Sequence, residues 1–205
     1  MKTFVCDTET LGGAPHGVIV SAAFLIFDLE KDYTFQELVK SALYVKFNVK
    51  EQKEKGRKIQ QNVIEWWKKQ DKEAQIKLLP SKNDVSMTEA IHIIHKYFND
   101  NGIYNGKDLY GFCRGMSFDF PLLVDMYEME NLSHMWLLDF WKQRDTRTYI
   151  SAALGSLKTD KVNLPKEVFD PKDFLAHDPV HDIAKDVLMM QYAQKYATGE
   201  VEYPS

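Results

Sequence analysis

The stretch Thr3-Phe4-Val5-Cys6-Asp7-Thr8-Glu9 decides the fold. It is apolar through Cys6 and turns acidic at Asp7, which predicts a short buried strand over Thr3 to Asp7 with two carboxylates at its carboxyl end. The next apolar run, Val18 to Asp28 (VIVSAAFLIFD), is rich in β-branched and aromatic side chains and predicts a second strand. Between the two, Gly12-Gly13-Ala14-Pro15-His16-Gly17 has the chemistry of a loop. From Ser41 to Val49 apolar and polar side chains alternate, with Leu43, Val45, Phe47 and Val49 on one side, as in a strand with one solvated face. A three-stranded antiparallel meander is therefore expected to open the chain.

Helical periodicity dominates afterwards. Gln60 to Gln70 carries Val63, Ile64, Trp66 and Trp67, and Thr88 to Asn99 spaces Ala90, Ile91, Ile94, Tyr97 and Phe98 along one face. Leu109 to Cys113 reads as a buried strand, Phe120 to Met129 as an amphipathic helix with Pro121 in its first turn, and Met135 to Phe140 as a further strand. Asp145-Thr146-Arg147-Thr148 is suited to capping a helix. Pro179 to Tyr196 is a long helix with Pro179 at its start. Strands first, then helices alternating with short strands, predict an α/β domain with a central mixed β-sheet flanked by helices. In such sheets ligands bind beyond the carboxyl ends of the strands, which is where Asp7 and Glu9 stand.

With 205 residues and 23.9 kDa, the chain is expected to form a single domain over 1–205. No run approaches the roughly 20 apolar residues of a membrane span, and acid follows the first apolar residues too soon for a secretory signal. Cys6 and Cys113 are too few for a disulfide framework and read as buried thiols, so a cytoplasmic setting is expected. The formal charge is −4 but unevenly spread: Lys46 to Lys82 holds eleven Lys/Arg against five Asp/Glu, a surplus of six, which leaves −10 for the remainder. Such a stretch is read either as a solvated helical face or as a phosphate-facing surface beside an acidic pocket.

The acids give that pocket its chemistry. Asp7 and Glu9, two apart on a strand, point to the same side, where like charges repel and favour protonation unless a divalent cation lies between them. Asp119, in Ser117-Phe118-Asp119-Phe120-Pro121, sits between an apolar strand and an apolar helix, as a helix cap or as a further ligand. Near the start of the last helix, His181 and Asp186 are five residues apart, and so are His177 and Asp182. The first pair is preferred here, because Asp186 falls inside the apolar pattern, where a carboxylate needs a partner or a metal. Asp182 is read as an exposed acid of the first helical turn.

An Asp-x-Glu ending the first strand, a central Phe-Asp and a late His-x4-Asp resemble the DEDDh class of 3′-5′ exonucleases of the RNase H-like superfamily, over Phe4 to Tyr192. The stretches Ile64-Glu65-Trp66-Trp67, Cys113 through Pro121 and Ala176 through Met190 are similar to the exonuclease A family of T-even bacteriophages. The resemblance implies an RNase H-like fold and two divalent ions, Mg2+ or Mn2+. It implies metal ligation by Asp7, Glu9, Asp119 and Asp186, and a general base at His181. It also implies attack on the 3′ end of a single strand, DNA in preference to RNA, in the cytoplasm of a bacterial host if the protein is phage-encoded. One departure stands out: many members of the class carry His-Asn ahead of the second-motif acid, where this chain has Arg114-Gly115. Two cations about 3.5–4 Å apart clamp the attacking and departing oxygens of an in-line phosphoryl displacement.

Substrate contacts are expected from Trp66 and Trp67 by base stacking, although adjacent helical positions diverge by about 100° and one of the two is expected in the core. Arg114 and Arg147 (with Arg144 a further candidate) are expected to hold phosphates, or, for Arg147, to pair with Asp145. Three competing readings remain at this level: an exoribonuclease, a catalytically silent nucleic-acid-binding module, and a phosphohydrolase of free nucleotides.

Overall fold

The computed structural model describes residues 2–157 and 161–202. The opening meander is present: β1 (Lys2–Thr10) and β2 (Ile19–Phe27) run antiparallel, and β2 pairs antiparallel with a short β3 (Leu43–Lys46). A helix the periodicity did not predict, α1 (Phe35–Ser41), interrupts it between β2 and β3. Thr34 caps α1 reciprocally with Glu37, a Thr-x-x-Glu box that fixes a helix only seven residues long. The third strand is shorter than its alternation predicts because Asn48 caps α2 (Val49–Glu54) and turns the chain out of the sheet.

The basic stretch folds into α2, α3 (Gln61–Trp67) and α4 (Lys72–Lys77), followed by α5 (Met87–Asp100), which Ser86 caps. This stretch is not uniformly solvated. The Arg57 side chain is buried and pairs with Asp125 Oδ2 at 3.1 Å. β4 (Leu109–Cys113) then enters parallel to β1, and α6 (Asp119–Met129) follows.

The strand expected at Met135 to Phe140 does not form. Ser133–Met135 and Phe140–Lys142 are short 3-10 turns, and the edge strand is β5 (Gln143–Asp145), parallel to β4. The apolar residues that mimic a strand, Leu137 and Leu138, pack on the core from a loop, which passes so close to Gly106 that a Cβ there would lie 1.8 Å from the Leu137 carbonyl oxygen. α7 (Thr146–Ala153), capped by Asp145, and α8 (Pro179–Thr198) complete the chain.

The sheet order is β3-β2-β1-β4-β5, a mixed sheet of RNase H-like type. Both faces are covered. Phe4, Cys6, Ile19, Ala22 and Phe24 pack against α5 and α6 on one side, and Val5, Ala23, Leu25 and Phe27 pack against α1, α7 and α8 on the other. Double coverage is why β2 is apolar almost throughout rather than alternating. Cys6 and Cys113 are free thiols, both buried. Among the described residues, no helix is long and apolar enough to cross a membrane.

Candidate active site

β1 sets the site. Its odd residues share a face, so Asp7 and Glu9 extend the row begun by Val5 toward α8. Its even residues face α6, and there Thr8 meets Asp119. Asp119 opens α6 without capping it; its Oδ1 accepts from the Thr8 amide at 3.0 Å and from Thr8 Oγ1 at 2.6 Å. These two bonds tie the second acidic motif to the end of the first.

The third motif comes from the start of α8. Asp178 is its N-cap, accepting from the amides of Val180 and His181, and Pro179 is its first residue. That start places His181 inside the first turn and His177 just ahead of it. His177 has φ +61°, a left-handed backbone costly for a residue with a Cβ, and its amide donates to Asp182 Oδ2 at 3.0 Å. The turned ring meets Trp66 and Trp67 edge-on, with centroids 4.8 and 5.7 Å away. Ligand atoms of Glu9, His177 and Asp182 all lie within 4.8 Å of one another.

The structure separates His181 from Asp186, the pair preferred from the sequence. His181 Nδ1 accepts from the Leu175 amide at 2.9 Å and its ring packs on Phe35 and Phe174. It lines a separate groove with Tyr44, Lys46 and Lys77. Asp186, one turn after Asp182, does reach the cleft, but its Oδ1 accepts from Arg114 Nη1 at 2.9 Å and its Oδ2 from Thr146 Oγ1 at 3.0 Å. The histidine and aspartate gathered with Glu9 are His177 and Asp182. A signal for this was present in the sequence: Asp178-Pro179 is a helix start, and it separates His177 from the helix that buries one side of His181.

Trp67 is the tryptophan that lies in the core. It is 4% exposed, and its Nε1 donates to the Thr10 carbonyl at 2.8 Å, which pins α3 to the end of β1. Trp66 is 43% exposed. Arg144 lies over the Tyr110 ring and donates to the Trp141 and Gln143 carbonyls, away from the acids. Arg147 lines the cleft; Asp145 accepts instead from the amides of Gly115 and Thr148.

The cleft, of about 560 Å3, is bounded by Asp7, Glu9, His177, Asp182 and Asp186 and by the cations Arg114, Arg147 and Lys185; the sequence reading did not single out Lys185. Burial raises the Asp7 carboxyl well above the usual range, with Asp119 and then Glu9 adding repulsion. Glu9 is raised well above it too, by burial and then by Asp182. Asp119 is raised to about 6 by burial, although the Thr8 bonds oppose the shift, and Asp182 to about 7 by burial and the neighbouring Asp186. Burial lowers His177, which favours its neutral imidazole. Crowded, oxygen-rich and short of compensating charge, Asp7, Glu9, Asp119 and Asp182 are a donor set that fits a hard divalent cation.

Residues 2–193 match the family model described as a 3′-5′ exoribonuclease Rv2179c-like domain. An exodeoxyribonuclease of Enterobacteria phage T4 is 40% identical over 218 aligned positions, covering all of this chain and 94% of the phage protein. Among solved structures, the cell-death related nuclease CRN-4 superposes with a TM-score of 0.58 at 11% identity, over 93% of this chain and 62% of its own. The nuclease domain of 3′hExo, a DEDDh member bound to rAMP, gives 0.52 at 9% identity, over 100% and 96%. S. pombe Pop2p, with Mg2+ and Mn2+ bound, gives 0.52 at 13% identity, over 95% and 82%. At these identities the solved structures speak for the fold.

Proposed function

Because the chain belongs to the family of Rv2179c-like 3′-5′ exoribonuclease domains, it is a 3′-5′ exonuclease, and we propose that it degrades single-stranded DNA from the 3′ end, releasing nucleoside 5′-monophosphates. The observation that carries the site assignment is the convergence of Glu9, His177 and Asp182 within 4.8 Å. The preference for DNA is supported by the 40% identity to the phage exodeoxyribonuclease along the whole chain. The family's description favours RNA instead, and the two substrates differ by a 2′-hydroxyl that a protein can either require or refuse.

In this reading Asp7, Glu9, Asp119 and Asp182 would hold two divalent cations of the Mg2+ or Mn2+ class. Bound there, the cations would supply Lewis acidity and a nucleophilic water near neutral pH. His177, neutral and held by the tryptophans, takes a proton from the attacking water on a ring nitrogen. The water oxygen forms a bond to phosphorus as the bond to the 3′-oxygen of the preceding nucleotide breaks, and that oxygen takes a proton from solvent water as it leaves, becoming the new 3′-hydroxyl. Thr8 fixes the Asp119 carboxylate, and the left-handed backbone at His177 aims the ring. Arg114 and Arg147 hold phosphates and Trp66 offers a face to a base. The chain is read as one unit over 1–205, acting in the cytoplasm of a bacterial host if it is phage-encoded.

Matched 3′-labelled DNA and RNA strands, digested side by side with Mn2+ and with chelator, test the proposal. Mononucleotide release from DNA at least tenfold faster than from RNA is expected, and faster release from RNA would transfer the assignment to an exoribonuclease. Binding without release would reject the chemistry. His177→Ala is expected to lower kcat by 10²-fold or more, the usual scale for a general base, with His181→Ala within a few-fold of wild type. The reverse order would return the base to His181.

A further inference from the structure

Asp186 is the carboxylate in the cleft that the proposed cation site leaves over. It is buried on α8, one turn beyond Asp182. Each of its oxygens is engaged by the protein: Oδ1 by Arg114 Nη1 at 2.9 Å and Oδ2 by Thr146 Oγ1 at 3.0 Å. Thr146 is fully buried at the first position of α7.

The backbone that follows Arg114 is tied down as well. It follows β4 directly, and the next residue, Gly115, has φ +115° and donates its amide to Asp145 Oδ2 at 2.9 Å. Arg147 Nη1 lies 3.5 Å from where a Gly115 Cβ would stand, an ordinary contact distance, so the second arginine lies over the loop of the first. Both guanidinium groups, with Lys185, border the same cleft as the acids. An acidic floor alone repels a polyanion, and a fixed guanidinium at its rim supplies a directional attraction that a mobile side chain would not.

We propose that Asp186 and Thr146 are positioning residues that set Arg114, with Arg147 beside it, as a phosphate-binding subsite for the nucleotide next to the scissile bond, and that Asp186 ligates no cation. This rests on the proposed nuclease reading of the cleft.

The test separates substrate binding from turnover. Anisotropy of a fluorescein-labelled pentathymidylate is measured in chelator for wild type, Asp186→Asn, Arg114→Gln and the double variant, and Mn2+ binding is titrated without DNA. Each single variant is expected to weaken oligonucleotide binding about tenfold or more, the scale of a lost hydrogen bond to a charged group. The double variant should be no weaker than Arg114→Gln, since both changes remove one contact. Mn2+ stoichiometry should persist in Asp186→Asn and fall in Asp182→Asn. Normal oligonucleotide binding by Asp186→Asn, additive losses, or loss of Mn2+ from Asp186→Asn would each overturn the proposal. If Asp186→Asn fails to fold, Arg114→Lys keeps the charge without the planar fork and is expected to show the same tenfold loss; wild-type affinity in that variant would equally overturn it. Because the binding arm uses no turnover, a wild type that binds but releases no mononucleotide refutes the nuclease reading and not this one.

Discussion

Replacing Asp182 by asparagine should stabilise the cation-free protein at alkaline pH. The carboxyl of Asp182 is raised from 3.8 to about 7 by burial and by Asp186. In the unfolded chain it releases its proton near 3.8, whereas the folded chain keeps the proton until about 7. Between those values the folded state binds more protons, so stability is fully present below pH 3.8 and is lost as pH rises through 7. Three pH units at ~1.36 kcal/mol each set a ceiling of ~4 kcal/mol. Asp182 keeps some contact with cleft water, which screens its neighbours, so about half of that is expected. Asparagine retains an oxygen to accept the His177 amide. For a chain of this size ~2 kcal/mol corresponds to a Tm higher by about 4–8 °C. Thermal unfolding in chelator at pH 8 should show that gain, and at pH 4 the two curves should coincide. Added Mn2+ should raise the wild-type Tm more than the variant's, because the ions bind only the folded site. A variant that melts at or below wild type at pH 8 in chelator would refute the claim that Asp182 is held against its own charge.

Two further predictions concern the frame of the site. Trp67→Phe strands the Thr10 carbonyl and should cost about 1–3 kcal/mol in chemical denaturation, whereas Trp66→Ala should leave stability nearly unchanged and weaken single-strand binding by the ~1–3 kcal/mol of one stacked base; equal stability losses for both would contradict the division between them. Gly111→Ala places a methyl 2.5 Å from Leu138 Cδ2 and 2.7 Å from the Phe4 ring, an overpacking expected to cost about 1–3 kcal/mol, and a wild-type denaturation midpoint would show that the β4 face has slack.

The sequence determined what is local and periodic. β1 turns from apolar to acidic within two residues, and that change alone places Asp7 and Glu9 together at a strand end. β4 matched its apolar run, Leu109 to Cys113, to the residue, and α5 and α8 matched within two residues, because long apolar periodicities carry their own register. The short α1, α2 and α4 lack the length for such a signal; Thr34 and Asn48 cap the first two, and α4, which has no side-chain cap, depends on its surroundings. β5 is three residues of Gln, Arg and Asp, with no strand pattern to read, and it exists because β4 offers a pairing edge.

Tertiary structure decided the rest of the cleft. His177 and His181 have identical spacing to an acid, so distance along the chain cannot rank them. The Asp178 cap fixes where α8 begins, and the left-handed turn before it sends one imidazole to Glu9 while Phe35 and Phe174 enclose the other. The apolar pattern around Asp186 says that its carboxylate needs a partner; Arg114, 72 positions away, is one, and no local pattern encodes that meeting. Periodicity tells a residue which face it occupies, and only the packing of one element against another tells it what waits on that face.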